Sequence, residues 1–239
     1  DLLYPSYGDT WPTYNGAIGM TYEQGGSGRA GLAYARIQEG DTLTLTERIR
    51  HHYFASLATL ESISDRSQKV VEEFVKFHKN AAENPNGPFK AYVIKSTGKD
   101  GRYLSDFLKL LDKQQIRYGL VEKPTTLKGL NLTNRKEESF STESTDIVIS
   151  AYQPKSTLLK ILLEPQPELE DSMTYDITAW GLAYAYQLRA YGVKERMSSK
   201  SYQIEAVRNT LPERTPYAYL ASWSSFADAK FLADLHKNK

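Results

Sequence analysis

The strongest constraint on the fold is a helical period that holds through most of residues 45–80 and then stops. Ile49, Tyr53, Leu57, Leu60, Ile63, Val70, Phe74 and Phe77 recur at the spacing that lines apolar side chains along one helix face. Ahead of them, Thr44 and Glu47 form a capping-box pattern, in which a hydroxyl and a carboxylate satisfy free amides of the first turn. The run is long for one globular helix, so a break is expected near Ser62–Ser67. It ends in Ala82-Glu83-Asn84-Pro85-Asn86-Gly87-Pro88, where two prolines and an Asn-Gly pair break both helix and strand. We place a linker at residues 83–88, between a first domain at 1–82 and a second at 89–239.

Beyond the linker the pattern alternates between strand and helix. Phe89–Lys95, Arg117–Val121 and Asp146–Ala151 read as strands, the last of them buried. Leu104, Phe107, Leu108, Leu110 and Leu111 give a helix face within residues 103–113, and Ser156–Leu163 gives a shorter helix. Thr174–Tyr191, rich in Ala and Tyr, reads as a further helix. Its Tyr184, Tyr186 and Tyr191 are expected to pack helix against sheet, or, if exposed, to contact a peptide or glycan. Strand–helix alternation with short connections implies an α/β domain with a parallel sheet covered on both faces. Ala91–Ser96 is echoed by Ala218–Trp223, and Phe107–Lys113 by Phe231–Lys237, so a repeated unit cut short at Lys239 is expected.

Composition excludes several classes. The 239 residues carry a net charge of +1, which gives no bulk attraction to nucleic acid or a membrane surface. No apolar run approaches the length of a membrane span. With no cysteine, disulfides, thiolate–zinc sites and a cysteine nucleophile are excluded. Asn131-Leu132-Thr133 matches a glycosylation sequon, a pattern so short that most matches are chance. Glu164–Asp171 holds four carboxylates in eight residues, without the spacing of an EF-hand loop, and reads as a solvated loop. Gly25–Gly31 resembles a phosphate cradle but lacks the Lys-Ser/Thr pair of one, and reads as a turn.

Eight of the 15 glycines fall in residues 1–40. That makes the region either an active-site wall or a set of surface turns between short strands. Within it, Ile18-Gly19-Met20-Thr21-Tyr22-Glu23-Gln24-Gly25-Gly26 carries the chemistry. A short apolar run, read as a strand, delivers one carboxylate to its end, and glycines follow at once. A strand end fixes a general base, and glycines beside it leave room for substrate. The stretch Tyr4-Pro5-Ser6-Tyr7-Gly8-Asp9-Thr10-Trp11-Pro12-Thr13-Tyr14-Asn15-Gly16 reads as a substrate-binding loop.

Together, residues 1 to 35 resemble the last part of the catalytic domain of zinc metallocarboxypeptidases, the carboxypeptidase A-like family, and most closely its divergent bacterial members with extra C-terminal domains. In that family a Tyr-bearing loop, a Trp and a strand ending in the catalytic Glu follow in this order, and a long helix closes the domain. The resemblance implies hydrolysis of peptide bonds at or near a C-terminus, with Glu23 as general base and then acid. It implies that Tyr4 or Tyr7 caps the bound substrate, and that Asp9 lies near where side-chain preference is set. The family holds zinc through a His-x-x-Glu pair and a later His, all N-terminal to the Glu strand. Here His51, His52, His78 and His236 all follow Glu23, and none is followed by Glu three positions on. We therefore expect a fragment of a longer periplasmic or secreted bacterial enzyme, with zinc held by its preceding part, no catalytic zinc on this fragment alone, and a peptide as substrate.

Residues 89–239 resemble the class I glutamine amidotransferase-like, flavodoxin-like fold that trails some bacterial carboxypeptidases. The resemblance rests on Ile149-Ser150-Ala151-Tyr152-Gln153-Pro154-Lys155-Ser156 and Tyr175-Asp176-Ile177-Thr178-Ala179-Trp180. An amidotransferase needs a Cys paired with a His, and this half has no Cys and no His between residues 79 and 235. The alternative to an enzyme is therefore a non-catalytic binding or scaffold module with an inert fold of that kind.

Overall fold

A computed structural model describes residues 5–24, 26, 34–36, 40, 42–96, 101–167, 181–203, 217, 218, 220, 223 and 226–238. The chain is mixed α/β and divides into two compact units. One holds the described residues up to Asn86 together with Pro154–Ile161. The other holds Gly87–Gln153 and the described residues from Leu162 onward. The units part inside the proline-rich linker.

The first unit opens with the short helix α1 (Thr10–Tyr14) and a two-residue ladder, β1 (Ala35–Arg36) against β2 (Thr42–Leu43). Helix α2 (Leu45–Asp65) starts where the sequence signals it. The Thr44 hydroxyl accepts from the Glu47 amide at 3.3 Å, and a Glu47 carboxylate oxygen accepts from the Thr44 amide at 2.8 Å. Replacing Thr44 by Ala removes this cap, and a loss of about 1 kcal/mol is expected. Thermal unfolding of the variant checks this; an unchanged midpoint would contradict it. The break expected at 62–67 is a single residue, Arg66, where the chain leaves helical geometry before α3 (Ser67–Glu83).

Pro154–Ile161 is fastened to this unit by two long-range bonds. His78 Nδ1 lies 3.0 Å from the Pro154 carbonyl oxygen, with the imidazole edge-on to Phe74 and Phe77. The Lys155 ammonium donates to Asn15 Oδ1 at 2.6 Å, while the Asn15 amide donates to the Trp11 carbonyl at 2.8 Å.

In the second unit come β3 (Ala91–Ile94), α4 (Gly101–Lys113), β4 (Gly119–Val121), β5 (Thr126–Asn131), β6 (Glu137–Ser141) and β7 (Ile147–Ser150). Helix α5 (Ser156–Leu162) comes next in the chain but lies almost wholly in the first unit; α6 (Leu182–Ala185), β8 (Ala190–Val193), β9 (Ser199–Ser201) and α7 (Phe226–Lys237) return to the second. Seven strands form one sheet in the order β6-β5-β8-β3-β7-β4-β9. Strands β3 and β8 are buried along their whole length, whereas β5 and β6 show exposed residues between their inward ones.

The parallel sheet expected from the sequence is corrected. Every pairing is antiparallel. Strands β3 and β4, joined through α4, do run the same way, as a crossover requires. Strand β7 lies between them and pairs antiparallel with both. An amidotransferase-like, flavodoxin-like parallel sheet is therefore not this architecture.

The helix expected at 174–191 is also corrected. Its described part holds one helical turn, α6, and then β8, the partner of β3 and β5. Ala190-Tyr191-Gly192-Val193 carries a mixed signal, with Tyr and Val favouring a strand and Ala and Gly opposing one. It is a strand because Phe89 lies directly over Gly192, where a Cβ would come within 2.6 Å of the ring, and because Tyr191 stacks on Phe140 at 3.8 Å. Tyr186 meets Phe107 of α4 edge-on and Tyr184 is exposed. The β5–β6 hairpin was not foreseen. Only Leu127, Leu130 and Phe140 mark its strands as apolar, and Asn131, the sequon residue, is committed to it: its amide donates to Glu138 at 2.6 Å and its Oδ1 accepts from the Thr133 amide.

One sheet face packs Ala91, Val93, Val121, Val148, Tyr191 and Val193 into a core with Phe140. At the end of β3, buried Lys95 donates to Asp146 at 2.5 Å and to the Ser141 carbonyl at 2.9 Å. The Asp146 carboxylate also accepts from the amides of Ser96 and Glu143. The second copy of the expected repeat falls largely outside the described residues between 218 and 223; its helical part lies in α7.

Candidate functional site

The site is built on the segment from Ile18 to Gln24 and the turn that precedes α1. The sequence suggested a strand here. The segment has no strand pairing among the described residues, and past Ala17 none of its backbone amides or carbonyls has a backbone partner there. Its side chains nevertheless alternate. Ile18, Met20 and Tyr22 line a groove of about 430 Å³ whose other wall is α2, including Ala55, Thr59 and Ile63. The Tyr22 hydroxyl is 2.5 Å from Thr59 Oγ1, and the Gln24 amide donates to His51 Nδ1 at 2.5 Å. The intervening Gly19 and Thr21 meet the turn instead. The Thr21 hydroxyl donates to Asp9 Oδ2 at 3.0 Å. A Cβ on Gly19 would sit 1.7 Å from the Asp9 carbonyl oxygen and 2.5 Å from Thr13 Oγ1.

That close approach makes Gly19→Ala informative. No small side-chain shift relieves a contact with backbone, so the segment must lift away from α1. Overpacking of this kind costs about 1–3 kcal/mol. Urea unfolding reads the loss, and a Gly19→Ala variant as stable as the parent would contradict the packing of this segment on α1.

Glu23 stands between the two anchored residues Tyr22 and Gln24. It is exposed, lines neither groove of this unit, and takes no hydrogen bond or ion pair from a described residue. Asp9 is placed two residues from it through Thr21, whose hydroxyl bond holds the Asp9 carboxyl below its ordinary value. Tyr7 sits half-buried in the same turn, its carbonyl accepting from the Trp11 amide. Tyr4 lies outside the described residues, as do Gly25 and residues 27–31 of the glycine-rich turn and residues 168–180 with the Tyr175–Trp180 motif. The structure thus brings Asp9, Tyr7 and the Glu23 segment to one place.

Two contributors escaped the sequence reading. His51 entered the sequence reading only as a histidine without the zinc-ligand spacing, but it orients Gln24, whose Oε1 is buried with no donor among the described residues. Thr59, one of many polar residues on α2, holds Tyr22. Beside them, Ile18, Val70, Phe74 and Phe77 line a larger apolar groove of about 840 Å³ between the segment and α3. Among the described residues no group of three His, Asp or Glu side chains could hold a metal ion, and His51 and His52 point to different faces of α2. No helix among the described residues is long and apolar enough to cross a membrane.

No family model, curated protein or solved structure matches the chain.

Proposed function

We propose that this chain is the C-terminal part of a zinc-dependent metallocarboxypeptidase, periplasmic or secreted, that hydrolyses peptide bonds at or near a C-terminus with Glu23 as general base and acid. The observation that carries this reading is the posture of Glu23. It projects from an extended segment whose neighbours on both sides are tied to α2, so the backbone is held while the carboxylate meets no partner among the described residues. A general base needs a defined position and an oxygen that can reach the proton it takes. In this role Glu23 takes the proton from the attacking water and passes it to the leaving amine. Tyr7 and Tyr4 cap the bound peptide, and Asp9 faces its C-terminal side chain.

The described residues do not fit a catalytic zinc, which needs three protein ligands. The proposal assigns those ligands to a preceding part of the same polypeptide. The backbone of 18–24, without a backbone partner among the described residues, and the exposed Ile18, Met20 and Tyr22 support this reading, since they offer a surface to which such a part could add a strand. The test is a longer polypeptide that includes the upstream region. It should contain stoichiometric zinc and release single residues from peptide C-termini, and a zinc-free polypeptide without that activity would contradict the proposal.

For the sheet-bearing unit the favoured role is a non-catalytic binding module. At the turn after β7, Gln153 is used structurally. Its side chain accepts from the Arg117 amide at 2.7 Å and donates to the Ser150 carbonyl at 2.7 Å, leaving no nucleophile in Tyr152-Gln153-Pro154.

A further inference from the structure

One end of the sheet gathers positive charge around a single tyrosine. Ala91 of β3 is in register with Ser150 of β7 on one side and Val193 of β8 on the other. The residues just outside these positions therefore share one sheet end. Lys90 is pinned there by its backbone, its amide donating to Val193 and its carbonyl accepting from Ala151. Tyr152 follows β7, and Arg196 follows β8.

The Arg196 guanidinium lies over the Tyr152 ring at 3.4 Å from the centroid, and Lys90 Nζ is 5.8 Å from the same centroid. Neither cation forms an ion pair with a carboxylate among the described residues. Glu195, exposed and next to Arg196 in the chain, forms no ion pair with a described residue, and Glu137 of β6 is already shared by Lys128 at 3.0 Å and Lys194 at 3.7 Å. A hydrogen bond from Arg196, and then the charges of Arg196 and Lys90, hold the Tyr152 phenol below its ordinary value.

We propose that Arg196 and Lys90, organised on Tyr152, form a binding site for an oxyanion, a phosphate or carboxylate group of a ligand. The Tyr152 ring lies against the guanidinium, and the phenol oxygen takes part of its hydrogen bonding. A guanidinium carries five N–H donors in one plane, so those not directed at the phenol can meet two oxygens of one anion as a fork. Lys90 adds a point charge from a backbone position fixed on both sides. The tyrosine limits the freedom of the arginine side chain, so less entropy is lost when the anion binds.

The experiment is an amide-resonance titration of the whole chain with inorganic phosphate, against sodium chloride at matched ionic strength, with acetate as a second arm. Saturable shifts at Tyr152 and residues 194–197 are expected with phosphate and not with chloride. Arg196→Gln should raise the half-saturating concentration at least tenfold and Lys90→Gln several-fold, while Lys200→Gln, on β9, should match the parent. Acetate saturating the same resonances more tightly than phosphate assigns the site to carboxylates; weaker saturation assigns it to phosphates. Circular dichroism establishes that each variant is folded, and if Arg196→Gln is not, Lys90→Gln decides. Shifts that are linear and equal to those of chloride, or folded variants that bind phosphate as the parent does, overturn the proposal.

Discussion

Asp146→Ala is expected to destabilise the sheet-bearing unit by about 3–5 kcal/mol. Asp146 is fully buried and is the closest acceptor for Lys95, itself buried, and it also accepts the backbone amides of Ser96 and Glu143. Its removal leaves an ammonium in the interior and two amides without their acceptor. An unpaired buried charge costs more than the original pair contributed, because desolvation persists after the attraction is gone. Glu143, 3.3 Å from Lys95 but largely exposed, offsets part of the loss, so the lower end of the range is expected. Urea unfolding with an unchanged slope measures it. The double replacement of Lys95 and Asp146 by apolar residues should recover much of the stability, since no buried charge is then stranded. A single Asp146→Ala variant within 1 kcal/mol of the parent would contradict the account of this cluster.

Glu23→Gln is expected to lower turnover of the zinc-containing, longer polypeptide by ~10²–10⁴-fold. Glutamine keeps the shape and the position between Tyr22 and Gln24, but an amide oxygen does not accept a proton from water. Because Glu23 bonds to no described residue, the substitution disturbs no contact and stability should stay within about 0.5 kcal/mol of the parent. The expected pattern is therefore a loss in kcat with folding and zinc content intact, which separates a chemical role from a structural one.

What was legible in the sequence was local. Thr44 and Glu47 announced the start of α2 because a capping box is a contact between residues three apart. The break at Arg66 and strands β3 and β7 could be read from periodicity and from runs of Val and Ile. What was not legible depends on distant partners. Strand β8 is fixed where Phe89 and Phe140 cover Gly192 and Tyr191, and Ala-Tyr-Gly-Val by itself gives a mixed signal. The direction of the sheet followed from β7 entering between β3 and β4, which no pattern within any one element reveals. At the site, Glu23 was singled out from its type and neighbours, and Asp9 only through the family resemblance. The bonds that order the segment, Gln24 to His51 and Tyr22 to Thr59, join residues 27 and 37 apart and leave no trace in spacing.

The most direct measurement is release of the C-terminal residue from a synthetic peptide by the longer polypeptide, compared with its Glu23→Gln variant at equal zinc content. The account predicts zinc-dependent release by the parent and a loss of at least ~10²-fold in kcat for the variant. A variant that releases the residue at the parental rate would contradict the assignment of Glu23 as the general base.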